Sequence, residues 1–358
     1  MKDRLEKLSF SLTNDSEAFL IISSVNRFYL TDFHSSAGAV FVTKSVVYCL
    51  VDFRYGEAAE KSVKNAVVVI YKRFTEAIHE LCKKHKINTI YIENEGISLG
   101  EANRFTVSFK TFSVKTETDK TLDTLLHNMR SIKSEIELAR IGEAQKITEK
   151  AYFKILNYIK AGVKEKDIAL ELEFIMRKSG AAAVSFDLIT ITGSKTSLPH
   201  GVPDDTEVKA GDFVTIDIGA VFDGYHSDMT RTVAVKSVSE EKERIYNIVL
   251  NAQLKALAAI KADVTAGSVD KAARDYIKAA GYADYFGHSA GHGVGLDIHE
   301  TPYLVAGSNT LLLSGMVITA EPGIYLPGKF GVRIEDMVCV TSNGYSNFTT
   351  VPKELTII

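Results

Sequence analysis

The chain has 358 residues, which exceeds the usual size of a single domain, so we expect two domains that each bury a hydrophobic core. Its 46% hydrophobic and 24% charged residues are typical of a soluble globular protein, and a formal net charge of -3 gives no reason to expect nucleic acid or an anionic membrane as a partner. No apolar run approaches the roughly 18–20 residues of a membrane span, the N-terminus lacks the apolar core of a signal peptide, and three scattered cysteines suggest no disulfide framework, so a cytoplasmic location is expected.

The first 125 residues are predicted to form a separate α/β domain. Short apolar runs alternate there with helical patterns, and residues 73–86 are predicted as a helix. This alternation indicates a mixed or parallel sheet covered by helices. The polar stretch 116–124, rich in Thr, Asp and Lys, is the predicted boundary. The five predicted strands are residues 18–22, 39–42, 46–51, 66–70 and 89–92.

Residues 126–358 alternate helices with pairs of strands, which predicts an α+β domain. A long amphipathic helix is expected over residues 134–160, because Ser134 and Glu137 form a capping box ahead of an apolar stripe and Gly162 follows it. Three further helices with similar stop signals are predicted over residues 164–179, 240–261 and 268–280.

A predicted hairpin over residues 213–233 brings two aspartates together. Apolar and polar residues alternate along its first strand, and Asp223-Gly224 predicts a two-residue turn. This turn places Asp217 opposite Thr230, with Asp217 and Asp228 on one face and roughly 7–8 Å apart at the backbone. Two carboxylates at that distance could bracket metal ions about 3.5–4 Å apart. Taken alone, the pattern fits a solvated hairpin face equally well.

A second predicted pair of strands carries two glutamates. Residues 316–325 place Glu321 on one face, and Pro322-Gly323 ends or kinks that strand just beyond the carboxylate. Residues 331–340 place Arg333 and Glu335 on one face. Because like charges that converge on a buried face are costly without a compensating cation, these carboxylates indicate metal binding.

One histidine completes the predicted ligand set. His292 lies between Gly291 and Gly293, which permit close backbone approach and pin the imidazole. Four carboxylates and one imidazole form an oxygen-rich set with more charge than one divalent ion needs. This set favours two ions that share carboxylates and activate water for hydrolysis. The five predicted ligands are Asp217, Asp228, His292, Glu321 and Glu335.

Several motifs carry a family resemblance. The segments LPHG (198–201), SDMTRT (227–232), HSAGHGVGLDIHETP (288–302), EPGIY (321–325) and VRIEDM (332–337) occur in the order found in the metallopeptidases of the pita-bread fold. That group contains methionine aminopeptidase, aminopeptidase P, prolidase and creatinase, and the chain is most similar to the bacterial Xaa-Pro peptidases. The resemblance implies a C-terminal pita-bread catalytic domain over residues 126–358. A smaller creatinase-like α/β N-terminal domain over residues 1–125 would precede it.

The resemblance also implies roles for the site residues. The five ligands would hold two divalent ions, with Mn²⁺ expected and Co²⁺ or Zn²⁺ as alternatives, and Glu321 would also move the proton of the attacking water. His200 and His299 would contact the substrate and its tetrahedral centre, and His288 would lie near the site. Arg333 is either a partner for the carboxylates or a substrate contact. His226 has no motif counterpart, so we assign it no function.

The resemblance leaves the substrate open between two activities. An aminopeptidase P-like enzyme, which cleaves peptides with proline at the second position, is the main expectation. An Xaa-Pro dipeptidase (prolidase) is the alternative. Such an enzyme needs a cation for the proline carboxylate, but an arginine matching Arg333 occurs in both activities and no second cation can be assigned to the cleft. A methionine aminopeptidase is disfavoured by the long N-terminal domain. A metal-free creatinase-like enzyme or binding protein is disfavoured by the complete ligand set. The resemblance further implies a homodimer.

Overall fold

The computed structural model describes residues 2–358, and contacts divide the chain into two compact units, Met1–Arg130 and Ser131–Ile358. The predicted boundary stretch 116–124 contains the end of one strand and the start of a helix that runs to Ser131. The domain boundary at residue 125 stays a prediction. No helix in the described part of the chain is both long and apolar enough to cross a membrane.

The first unit is built on a six-stranded mixed sheet. Its strands lie in the order β4-β3-β2-β1-β5-β6, with β2 antiparallel to both neighbours and the outer pairs parallel. Buried Leu20, Phe41, Leu50, Ile90 and Phe109 belong to its core. The elements are α1 (Lys2–Ser11), β1 (Glu17–Ile21), α2 (Ser24–Thr31), β2 (Ala39–Val42), β3 (Val47–Asp52), α3 (Gly56–Ser62), β4 (Val67–Tyr71), α4 (Phe74–His85), β5 (Thr89–Ile92), α5 (Leu99–Lys110), β6 (Lys115–Glu117) and α6 (Thr121–Ser131).

The predictions for this unit are largely confirmed. All five predicted strands are present with ends displaced by at most one residue, and α4 matches the predicted helix. The sheet is mixed because β1, β2 and β3 form an antiparallel meander, whereas β4, β5 and β6 each follow a helix and lie parallel to a neighbour.

Four helices of the second unit match the predicted positions. The first begins after Ser134, whose backbone N–H and hydroxyl donate to the Glu137 carboxylate at 2.9 and 2.7 Å, as the capping box predicts. It ends at Ile155, short of the predicted residue 160, and the chain then continues in tight turns. The helices are α7 (Glu135–Ile155), α8 (Glu165–Lys178), α9 (Glu240–Ala259) and α10 (Ala266–Ala279).

Thirteen strands of the second unit form four small sheets, in the orders β8-β9-β12, β7-β10-β11, β14-β13-β15-β18-β19 and β16-β17. Two short 3-10 helices, Gly193–Ser197 and Ala283–Tyr285, accompany them. The strands are β7 (Ala183–Val184), β8 (Ile189–Thr192), β9 (Phe213–Ile218), β10 (Ala220–Phe222), β11 (Tyr225–His226), β12 (Met229–Ala234), β13 (His292–Gly293), β14 (Glu300–Tyr303), β15 (Val317–Ala320), β16 (Gly323–Leu326), β17 (Phe330–Arg333), β18 (Asp336–Thr341) and β19 (Gly344–Asn347).

Alternation along the strands turns the polar side chains of two sheets toward each other. In β9, Ile216 and Ile218 pack in one core with α7 and α8, so Asp217 points to the opposite side. In the other sheet region, Val332 and Ile334 pack in a second core with α9 and α10. The candidate ligands therefore lie between two hydrophobic layers, where water is largely excluded.

Candidate metal centre

The aspartate hairpin has the predicted register. Thr230 lies opposite Asp217, and Asp223 and Gly224 form the turn with φ angles of 49° and 82°. Two positive φ angles are typical of the type I′ turn, whose twist matches that of the flanking strands. Asp217 and Asp228 are both buried, with 8% and 4% of their surface exposed, so the alternative of a solvated hairpin face is wrong.

Both predicted glutamate strands are interrupted at the carboxylate. Pro322-Gly323 predicted the end of the first strand, whereas the break between Arg333 and Asp336 corrects the prediction of a continuous second strand. Ala320 pairs with Asp336 on one side of the interruption, and Gly323 pairs with Arg333 on the other. Counting from either side, Glu321 and Glu335 occupy facing positions in the break.

The interruption frees the backbone of both glutamates to bond elsewhere. The Glu335 N–H donates to the carbonyl oxygen of Thr230 at 3.1 Å, and the Glu321 N–H donates to that of Ala290 at 2.9 Å. The first bond draws the aspartate hairpin against Glu335, and the second draws the segment before His292 against Glu321. The break thus assembles the centre from three separate parts of the chain.

His292 is held with one ring nitrogen directed at the carboxylates. Its Nδ1 lies 3.0 Å from the carbonyl oxygen of Gly293, and because a carbonyl only accepts, Nδ1 is the donor and Nε2 is left with a free lone pair. Nε2 lies 3.5 Å from Asp228 Oδ2 and 3.4 Å from Glu321 Oε1. A Cβ on Gly291 would lie 2.2 Å from the Thr319 carbonyl oxygen, so this approach requires glycine.

The donor atoms fit a cation. Asp228, His292 and Glu335 each offer one ligand atom, and these atoms lie within 4.8 Å of one another. Thr230 Oγ1 donates to Glu335 Oε2 at 2.7 Å. Within residues 2–358, Glu335 Oε1 and Asp217 Oδ1 are buried oxygens without a hydrogen-bond partner. An unpaired buried carboxylate oxygen is costly, and a divalent ion would satisfy both.

The electrostatics lead to the same conclusion. Burial raises the pKa of Asp228 well above its usual value, and the charges of Glu335, Asp217 and Glu321 raise it further. Burial also raises the pKa of Glu335, with Glu321 and Asp217 adding to the effect. For Glu321 burial raises the pKa to about 7. Burial lowers the pKa of His292, which favours the neutral ring that binds metal. A bound divalent cation would stabilise the ionised carboxylates and so lower the raised carboxyl pKa values, and it would keep His292 neutral.

Arg333 pairs with Asp217, one of the candidate ligands. Its Nη2 donates to Asp217 Oδ2 at 2.5 Å, and its Nε donates to Thr230 Oγ1 at 3.2 Å. Its Nη1 donates to the Tyr325 hydroxyl at 2.8 Å and to the Pro199 carbonyl oxygen at 3.3 Å. Arg333 was expected to be either a partner for the carboxylates or a substrate contact. The structure shows the pairing with a carboxylate. Asp217 keeps its second oxygen free.

Sequence reasoning missed Tyr325 and Thr230. Tyr325 is buried, and its hydroxyl also lies 2.8 Å from His288 Nε2, so it links His288 to Arg333. Thr230 serves Arg333 and Glu335 through one hydroxyl. Both residues stand inside the motifs EPGIY and SDMTRT, which mark their segments, but a motif does not show which partner each hydroxyl contacts.

The two histidines expected at the rim are both exposed. The His299 ring lies 4.3 Å from that of His292 between centroids, at 74°. Partial burial lowers the pKa of His299, and the charges of His292 and His200 add to this. His200 also contributes to the lowered pKa of His288, which burial chiefly sets at about 4. The structure therefore gathers these histidines around the carboxylates. His226 lies in β11, opposite Val221.

Two sequence families match the chain. The profile of the Creatinase/Prolidase N-terminal domain matches residues 4–132, and that of metallopeptidase family M24 matches residues 139–342, more than half of the chain. The chain belongs to metallopeptidase family M24. The predicted family, the peptidase class and the two-domain pita-bread fold are thereby confirmed.

Relatives of this M24 chain cover its whole length. The Xaa-Pro dipeptidase of Pyrococcus furiosus is 39% identical over 99% of this chain and 100% of the relative. A solved Xaa-Pro dipeptidase from Bacillus anthracis is 38% identical with a TM-score of 0.94, covering 99% of each chain. The X-Pro aminopeptidase structure from Thermotoga maritima is 35% identical with a TM-score of 0.89, covering 100% of this chain and 99% of that one. Together, the relatives support the dipeptidase alternative better than the aminopeptidase expectation.

The raised carboxyl pKa values predict how the stability of the metal-free protein, and the stabilisation by added metal, change with pH. A carboxyl group whose pKa is raised on folding stabilises the fold below its unfolded value, and this stability is lost as pH rises through the folded pKa. Between about pH 4.5 and about pH 7, the window set for Glu321, the chelated protein should lose stability as these groups ionise. Bound metal needs the ionised forms, so the rise in Tm on adding Mn²⁺ should grow with pH across this window. Calorimetry with and without metal measures this rise in Tm. A rise that stays the same across the pH window would show that the raised carboxyl pKa values do not control metal binding.

Proposed function

We propose that the protein is an Xaa-Pro dipeptidase, a metal-dependent hydrolase that cleaves the peptide bond before proline. The observation that carries the proposal is the cluster of four carboxylates and one histidine, all buried except the half-buried Glu321, in a chain that resembles Xaa-Pro dipeptidases from end to end. The likeness to the Thermotoga maritima structure supports a second candidate, an Xaa-Pro aminopeptidase that acts on longer peptides.

Asp217, Asp228, His292, Glu321 and Glu335 would hold two divalent ions. Bound there, the ions would activate a water molecule for attack and polarise the scissile carbonyl. The mixed oxygen and nitrogen donors suit Mn²⁺, and Co²⁺ or Zn²⁺ would also be accepted. The choice of Mn²⁺, the cytoplasmic location and the homodimeric assembly stay predictions.

The side chains of the protein would handle the proton and the developing charge. Glu321 takes the proton of the attacking water and passes it to the leaving nitrogen, which must gain a proton to depart as an amine. His200 and His299, both at the open edge, donate hydrogen bonds to the oxygen that becomes negative. Arg333 orients Asp217 and offsets its negative charge, and His288 supports Arg333 through the Tyr325 hydroxyl.

Removal of the metals or of a candidate ligand should abolish activity. Chelation should remove turnover, and Mn²⁺ or Co²⁺ should restore it. Asp228→Asn and Glu335→Gln should each lower kcat by more than roughly tenfold and lower metal content, because the amide carries one donor oxygen instead of two. Glu149→Gln is the matched control, since Glu149 is a buried carboxylate that bonds the backbone and hydroxyl of Thr350. Full activity in exhaustively stripped enzyme would refute the metal-dependent mechanism.

The rim histidines should affect turnover without affecting metal binding. His200→Ala and His299→Ala should each lower kcat by roughly 10²-fold, as expected when a group that stabilises the developing oxyanion is lost. Metal content measured by elemental analysis should equal that of the wild type. If either variant instead loses metal, that histidine is a ligand or a fold support, and its catalytic role is wrong.

A paired assay separates the two candidate activities. The dipeptidase proposal expects hydrolysis of Ala-Pro with little cleavage of Ala-Pro-Ala, because the site would recognise a free carboxylate directly after proline. Product formation from both peptides and from a Met-Ala peptide is measured under the same metal loading. Cleavage confined to Ala-Pro-Ala would establish the aminopeptidase, and cleavage confined to Met-Ala would reject both Xaa-Pro activities.

A further inference from the structure

One buried carboxylate outside the metal centre joins both ends of the segment that carries His200. Glu165, the first residue of α8, has no exposed surface. Its Oε1 accepts from the Thr192 N–H at 2.7 Å. Its Oε2 accepts from Lys195 Nζ at 2.6 Å and from the Asp204 N–H at 3.1 Å. Lys195 Nζ also lies 2.8 Å from Asp204 Oδ2, so the two ends of the segment are tied to each other as well.

The segment between these ends, residues 193–203, is named here the His200 loop. It starts as a 3-10 helix, Gly193–Ser197, and then runs through exposed Leu198, His200 and Val202. Leu198 and Val202 are 52% and 74% exposed, so their side chains contribute little packing that could hold the loop. The position of the exposed part therefore depends on how the ends of the loop are fixed and on buried Thr196, whose hydroxyl accepts from the Gly331 N–H at 2.9 Å.

The fixed loop reaches the metal centre through one main-chain contact. The Pro199 carbonyl oxygen accepts from Arg333 Nη1, and Arg333 in turn pairs with Asp217. The imidazole of His200 follows directly in the chain, and its charge acts on Glu321 and His299. A displacement of the loop would move this imidazole relative to the carboxylates.

We propose that Glu165, together with Lys195, is a positioning residue that holds the His200 loop in place beside the metal centre. The inference rests on the role proposed above for His200. A buried carboxylate is costly to place, and Lys195 offsets part of that cost by neutralising its charge. A side chain that only capped α8 would accept hydrogen bonds from the N–H groups of that helix. The Glu165 oxygens instead accept from three donors at the two ends of the His200 loop.

The test compares Glu165→Gln with a matched control. The glutamine amide keeps one accepting oxygen and turns an NH₂ group toward a lysine ammonium or a backbone N–H, so at least one end of the loop is released. Lys195→Met is a milder second variant, which leaves both backbone bonds but removes the cation. Glu149→Gln, a buried carboxylate whose bonds do not involve the loop, controls for a general loss of stability.

Two measurements are made on each full-length, metal-loaded variant. Hydrogen exchange of peptides within residues 193–203 should be faster in Glu165→Gln and Lys195→Met, and unchanged in Glu149→Gln. In Glu165→Gln kcat for Ala-Pro should fall roughly 10- to 100-fold with little change in KM, since a misplaced imidazole affects the transition state more than binding. Metal content should be unchanged.

The decisive comparison is made in the His200→Ala background. If Glu165 acts through His200, the double variant should have a kcat within about twofold of His200→Ala alone. If Glu165→Gln lowers kcat by the same factor in the His200→Ala background as in the wild type, Glu165 acts elsewhere. If hydrogen exchange in the loop is unchanged, Glu165 does not hold the loop. Either result overturns the inference. If the wild type cleaves none of the peptides, the proposed function fails, and the exchange measurement alone still decides whether Glu165 holds the loop.

Discussion

Four carboxylates converge on a single imidazole in the buried centre, and the catalytic unit is built around the cost of holding them there. Burial and mutual repulsion raise the pKa of Asp228 and of Glu335 well above their usual values. The protein compensates only part of this charge. Arg333 donates to one oxygen of Asp217, and Thr230 donates to one oxygen of Glu335. The second oxygen of each carboxylate has no hydrogen-bond partner in the described chain. That partial compensation distinguishes a metal-binding cluster from a structural salt bridge.

The fully paired charges nearby show the contrast. Arg231 is buried, and its guanidinium donates to the carbonyl oxygens of Thr230, Glu335 and Val351 and to the Asp336 carboxylate. Asp336, also buried, is further paired with Lys353. These groups leave no capacity for a ligand, and they fix the backbone on which Thr230 and Glu335 stand. Glu165 belongs to the same class, since its oxygens are occupied by protein donors.

The break in the strands at Glu321 and Glu335 lets their backbone groups bond to other segments, which regular strands do not allow. Glu321 and Glu335 face each other in one antiparallel pair, and a continuous ladder would use their backbone groups within that pair. The interruption redirects the Glu335 N–H to Thr230 and the Glu321 N–H to Ala290. Three segments distant in sequence thereby meet, with α7 and α8 on one side and α9 and α10 on the other. The two hydrophobic layers exclude water, which strengthens every charge interaction between them.

The sequence by itself determined the features that depend on near neighbours. Strand alternation and the Asp223-Gly224 turn predicted the register that places Thr230 opposite Asp217, and Ser134 with Glu137 predicted the start of α7. Spaced motifs predicted the family and the five candidate ligands. Pro322-Gly323 predicted the end of the first glutamate strand, but only the tertiary structure showed the matching break at Glu335, because that break depends on Glu335 bonding to a residue 105 positions away. The same limit hid Tyr325 as a link to Arg333 and Glu165 as a support for the His200 loop. Which partner receives a given hydrogen bond is decided when distant segments pack, and local sequence patterns do not contain that information.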